Sequence, residues 1–118
     1  WMVAALLAER KIPVIYSGIW ALPPRDHESY DVQFRAPSVL AKAGVAFAIM
    51  QGGSRYENEA WTLRNLPHSA AQAAAFGLDP AQALRAITLA PAEILGVADR
   101  IGSLAPGKRA DLWMLDRD

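Results

Sequence analysis

Apolar and polar positions fall in blocks along this chain, and the period changes from block to block. Over residues 1–10, Trp1, Met2, Val3, Leu6 and Leu7 share one face at helical spacing, before Glu9, Arg10 and Lys11 turn the chain polar. Residues 12–16 are short and β-rich and predict a strand, with Pro13 tolerable near its start. Residues 17–36 hold Pro23-Pro24 and the charged set Arg25, Asp26, His27, Glu28 and Asp31. They predict a long loop, which is uncommon unless it is functional or disordered. A helix is predicted over 37–43, with Ala36 or an earlier residue at the cap, Pro37 in the first turn and Gly44 at the left-handed position after it. Residues 45–50 are continuously apolar, as a strand buried on both faces is. Gln51-Gly52-Gly53-Ser54 breaks that run.

Three helices follow. One opens at Asn65-Leu66-Pro67 and closes at Gly77. The next is announced by Asp79 at the cap, Pro80 at the first position and Gln82 at the third, and its apolar pattern turns Leu84, Ile87 and Leu89 inward. A short helix runs from Pro91 to Leu95 and stops at Gly96. Residues 101–115 are too interrupted for a helix. Gly102 breaks the first short run, Pro106-Gly107 signals a turn, and 110–115 is an apolar strand with little after it to cover it. Helices alternating with strands predict an α/β fold.

Composition narrows this picture. The 118 residues suggest one domain, and 53% hydrophobic against 20% charged is a folding composition. A formal net charge of zero removes the broad attraction that nucleic acid or an anionic membrane needs, so neither partner is expected. With no cysteine, disulfide scaffolds and thiolate metal sites are excluded. No apolar run approaches the roughly 20 residues that span a bilayer. Nothing indicates a compartment. Trp1 opens into a helix without an N-cap, as expected of a chain cut within an element.

His27, in Asp26-His27-Glu28, reads either as part of a metal or acid–base cluster or as a solvated loop tip, since adjacent side chains diverge and chelate poorly. His68 sits in a first helical turn, where the helix dipole disfavours a protonated imidazole, so a neutral surface or packed histidine is expected. Gln51-Gly52-Gly53-Ser54 could cradle an anion on backbone N–H groups, although it lacks the Gly-Lys-Ser/Thr of a nucleotide loop. Lys108 and Asp111 read as structural: a charge beside the turn, and a carboxylate bonded to local backbone.

Residues 83–96 (Ala-Leu-Arg-Ala-Ile-Thr-Leu-Ala-Pro-Ala-Glu-Ile-Leu-Gly) and 99–112 (Asp-Arg-Ile-Gly-Ser-Leu-Ala-Pro-Gly-Lys-Arg-Ala-Asp-Leu) resemble the C-terminal signature of the amidohydrolase superfamily, with imidazolonepropionase-like members nearest. The resemblance implies the C-terminal part of a (β/α)8 TIM-like barrel. Residues 12–18 would be strand 7 and 45–51 strand 8. Residues 1–98 would belong to the barrel, and 99–118 would return to a small composite β-sandwich. The fold would be incomplete, its partner being the missing N-terminal part of the same protein. The resemblance also implies hydrolysis of non-peptide carbon–nitrogen bonds, cyclic amides among them, in a small-molecule substrate. Water activated by a divalent metal, zinc by expectation, would do this, and the fragment alone would be inactive with no complete metal site.

Tyr16, Gln51 and Arg55 would lie near the barrel mouth as candidates for substrate contact, while no residue here is assigned as catalytic. Gly52 stands where the family places a metal-binding Asp, and the nearest carboxylates are Glu57 and Glu59. That departure keeps a non-catalytic barrel, used for binding or structure, as the alternative. A third reading is a small α/β interaction module with open strand edges. Ala90 stands where the family often has Asn before Pro, which would start the last helix less firmly by roughly 1 kcal/mol.

Overall fold

A parallel strand pair and the helix connecting it form the centre of the fold. The computed structural model describes residues 3–51 and 62–112. Strand β1 (Val14–Tyr16) leads through a loop into helix α2 (Val32–Lys42), which returns the chain to β2 (Phe47–Ile49). The register pairs Val14 with Phe47, Ile15 with Ala48 and Tyr16 with Ile49. Val14 N–H to Ala46 O and Met50 N–H to Tyr16 O, both 2.9 Å, extend the ladder at each end. Parallel strands need such a crossover, so the α/β class expected from the sequence is the class observed. All three residues of β2 are buried, as the unbroken apolar run predicts, whereas Ile15 of β1 is half exposed.

Around this pair stand α1 (Ala4–Glu9), α3 (Leu66–Ala75) after a single 3-10 turn (Leu63–Asn65), α4 (Pro80–Ala86) and α5 (Leu89–Ile94). The core gathers Ile19, Leu40, Val45, Phe47 and Ile49 against Ala70, Ala73, Ala83 and Ala86. Alanine on the facing helix surfaces lets the backbones approach closely, and close packing sets the cost of any change there. No described helix is long and apolar enough to cross a membrane.

Four expectations about the helices need correction. On α1 the buried face is Ala4, Leu7 and Ala8, while Val3 and Leu6 are exposed. Both stripes have helical spacing, and the one led by the small Ala4 fits against the core. On α4 the inward residues are Ala83 and Ala86, while Leu84 is exposed and Ile87 only partly covered. Helix α2 starts five positions before Pro37, at Val32, so Pro37 is inside the helix rather than in its first turn. Helix α5 starts at Leu89, which puts Ala90 buried within its first turn and Thr88 at the N-cap. Ala90 therefore does not occupy the cap, and the expected capping loss does not arise there. The Thr88 hydroxyl instead donates back to Leu84 O at 2.8 Å. The Asp79 cap is as predicted, with its Oδ1 accepting from Gln82 N–H at 3.0 Å.

Helices α2, α3 and α5 end alike. After each, a glycine at positive φ (Gly44, Gly77, Gly96) sits in a Schellman motif, as in the bonds Gly77 N–H to Ala74 O and Leu78 N–H to Ala73 O. Helix α1 ends in the same motif, with Lys11 N–H to Ala8 O and Ile12 N–H to Leu7 O, but its left-handed residue is Lys11 at φ 52°. An L side chain pays a steric cost in that region.

The terminal segment folds back on α5. Arg109 N–H reaches Arg100 O at 2.9 Å, and Lys108 N–H reaches Ala105 O at 3.2 Å across the predicted Pro106-Gly107 turn, where Gly107 has φ 84°. Lys108 Nζ donates to Ser103 Oγ at 2.7 Å. The Asp111 carboxylate pairs with the Arg109 side chain at 2.7 Å, which corrects the expectation of a bond to backbone. Residues 110–112 are exposed and not in a strand, and the remainder of the expected 110–115 strand lies outside the described residues. Gly102 anchors this segment: at φ 91°, a Cβ on it would come within 2.8 Å of Ala92 Cβ and 3.0 Å of Thr88 O.

Two substitutions at left-handed positions should therefore act in opposite directions. Lys11→Gly should stabilise the chain by about 0.5–1 kcal/mol, the left-handed penalty less the extra entropy of unfolded glycine. Gly102→Ala should destabilise it by about 2–4 kcal/mol, because backbone strain and a clash with fixed backbone add. Chemical denaturation of both variants measures the signs directly.

Candidate functional site

In parallel α/β sheets, ligands bind beyond the carboxyl ends of the strands. Here that end is made by Tyr16, the last residue of β1, and by Gln51, two positions past β2. The sequence-predicted Tyr16 and Gln51 therefore share one end of the sheet. Arg55 lies outside the described residues, as do Gly52, Glu57, Glu59 and the rest of the 51–54 cradle.

The Tyr16 hydroxyl reaches across to α2. Its one proton is shared between two acceptors, Gln33 O at 3.0 Å and Gln33 Oε1 at 2.6 Å. Gln33 O is the carbonyl that Pro37, four residues on and without an N–H, leaves without its helical donor. Tyr16 thus supplies from the side what the proline withholds, which accounts for a proline inside α2. Partial burial pushes the Tyr16 hydroxyl up from 10.0 to about 12.

A second chain of bonds fixes Gln51. The Trp20 indole N–H donates to Ser69 Oγ at 2.9 Å, and the Ser69 hydroxyl lies 2.6 Å from Gln51 Oε1. Ser69 is fully buried on the inner face of α3, beside Ala70 and Ala73. Trp20 is held in turn by an edge contact with Phe34, ring centroids 6.0 Å apart, and Phe34 packs on Phe76 at 4.9 Å. The loop after β1, the end of β2 and helix α3 therefore meet at Ser69. The sequence reading missed Ser69 and Trp20. A single polar residue among the buried alanines of α3 was the available signal for Ser69.

The histidines stand apart. His27 and His68 are both exposed on separate segments. Among the described residues no three His, Asp or Glu side chains gather as metal ligands. Glu28 directs Oε1 to Arg25 at 3.4 Å, while its Oε2 is buried without a hydrogen-bond partner among the described residues. At the start of α2, a hydrogen bond from Ser29 and then the Arg35 charge hold the Asp31 carboxyl below the usual carboxylate range. At the opposite end of the sheet a cavity of about 330 Å³ is lined by Ala41, Val45, Phe47, Gln82 and Arg85. Its one charged group among the described residues, Arg85, is already paired to both oxygens of Glu93 at 2.6 Å.

Comparison with known proteins follows the same outline. Residues 6–118 match the amidohydrolase family. An adenine deaminase of Methanoregula boonei is 54% identical over 44 residues, 37% of this chain and 8% of that protein. An imidazolonepropionase of Erwinia tasmaniensis is 52% identical over 44 residues, 36% of this chain and 11% of that protein. The crystal structure of an amidohydrolase from Thermotoga maritima superposes with a TM-score of 0.74 at 34% identity, covering 93% of this chain and 27% of that one. The chain thus spans about a quarter of that structure and a tenth or so of the curated relatives' lengths in its matches.

Tyr16→Phe should cost about 1 kcal/mol through the lost bond to Gln33. The folded-state pKa is the higher one, so this stabilisation is complete below pH 10 and is lost as pH rises towards 12. The stability difference between the parent chain and Tyr16→Phe, followed by denaturant titration from pH 8 to 12, should therefore shrink only in the upper part of that range.

Proposed function

The chain belongs to the amidohydrolase family, and from that premise we propose that it is the C-terminal part of a hydrolase acting on non-peptide carbon–nitrogen bonds. The observation that carries this reading is the family match over residues 6–118, joined to relatives named adenine deaminase and imidazolonepropionase. Carbon–nitrogen bonds on or within a ring, cyclic amides among them, are the substrate class in view. In this reading β1 and β2 are barrel strands 7 and 8, residues 1–98 are barrel and 99–118 return to a β-sandwich. Tyr16, Gln51 and Arg55 stand at the mouth. The partner is the N-terminal part of the same protein, and the 118 residues alone are inactive.

A divalent ion, zinc by family resemblance, would supply activated water. The described residues do not form a ligand set for it, so the ion would be held by residues outside them. What the described part contributes is the wall of the mouth and its hydrogen-bonding groups. A second reading is favoured by one observation, Gly52 at the position the resemblance gives to a metal-binding Asp. Glycine has no ligand atom, and a parent that has lost this group would keep the barrel for binding.

Metal analysis and hydrolysis assays on the whole protein separate the two. The first reading expects bound divalent metal, with ammonia release from adenine or ring opening of a cyclic amide, abolished by chelation. A metal-free whole protein inert on both would leave the second reading standing. The isolated 118 residues should show no turnover in either assay.

A further inference from the structure

We infer that Gln51 is held as a hydrogen-bond donor at the mouth and selects a substrate ring presenting an acceptor, a carbonyl oxygen or a lone-pair nitrogen. The inference rests on the proposed function for the identity of the mouth, and on the bond chain through Ser69 for its polarity.

The polarity follows from elementary chemistry. An indole N–H can only donate, so Ser69 Oγ must accept from Trp20. Ser69 is fully buried, so water does not take its proton. Its neighbour on the other side is the Gln51 amide at 2.6 Å, a separation typical of O–H···O and short for N–H···O. The atom facing Ser69 is thus the amide oxygen, and the Ser69 hydroxyl is the donor. With its oxygen engaged, Gln51 has two N–H hydrogens that no hydrogen bond among the described residues takes up. It stands at the sheet end where ligands bind, two residues beyond β2. A ring with an acceptor edge is complementary to it, and a ring edge presenting only N–H donors is not. Ser69 is a positioning residue in this scheme, and Trp20 fixes the direction of its proton.

Gln51→Glu is the informative change. It keeps an oxygen for Ser69 and exchanges the donor for a carboxylate oxygen. Binding of 2-imidazolidinone, a carbonyl acceptor, and of adenine, a ring-nitrogen acceptor, is measured by calorimetry on the whole protein and the variant. At least one probe should bind about tenfold or more weakly to Gln51→Glu, the equivalent of one hydrogen bond. Which probe responds identifies the acceptor. Ser69→Ala should weaken the same probe less, because the amide can then turn. In the parent, the side-chain amide resonances of Gln51 should shift on adding the probe, which a merely structural glutamine would not do. Unchanged affinity of both probes for a folded Gln51→Glu overturns the inference, as do unmoved Gln51 amide resonances at saturating probe. A whole protein that binds a probe through Gln51 without hydrolysing anything sinks the proposed reaction and leaves this inference standing. Hydrolysis unaffected by Gln51→Glu does the reverse.

Discussion

The burial of β2 on both faces is the constraint to which the other elements answer. Its three residues, Phe47, Ala48 and Ile49, are covered, and full burial of each large apolar side chain is worth roughly 1.5–3 kcal/mol. Two layers must close on so short a strand, and they can do so only with small contact residues. Ala70 and Ala73 on α3 and Ala83 and Ala86 on α4 provide them. The larger Leu84 of the same helix faces outward. The alanine-rich composition of the second half is thus a consequence of the strand in the first.

The same closeness builds the mouth. Because α3 lies tight against the strand pair, a serine hydroxyl on its inner face reaches both the glutamine past β2 and the indole of the loop past β1. A longer side chain at position 69 would hold the helix away, and a non-polar one would leave the indole N–H without its partner on α3. Serine meets both conditions, which links the packing of the core to the chemistry at its rim.

Much of this was legible in the residues themselves. The apolar run at 45–50, the Asp79-Pro80 helix start, the glycine stops and the Pro106-Gly107 turn are local signals, and each appears where expected. Residues 83–112 also carried the family resemblance that the matches bear out. What escaped was long-range. The start of α2 was misplaced because proline inside a helix is costly unless something repairs the gap, and the repair comes from Tyr16, seventeen positions upstream of Gln33. The burial stripe of α1 was misread because two stripes of equal period were present. At the site, Tyr16 and Gln51 could be placed as strand-end residues, while Ser69 and Trp20 acquire their roles only through contacts across 18 and 49 positions.

Pro37 has one more consequence. In a regular helix every middle carbonyl already has its N–H donor, so a neighbour finds no unpaired one to fix its position, and a helix packed on a strand is free to slide until side chains lock. Removing one N–H exposes a single interior carbonyl, and Tyr16 engages it at 3.0 Å from the end of β1. That bond marks one axial position on α2, as a notch does on a rod. A slip by one turn, about 5.4 Å, would carry the carbonyl out of reach. The proline thus acts as a ruler for the crossover, setting how far α2 advances before the chain enters β2 and where Gln51 emerges.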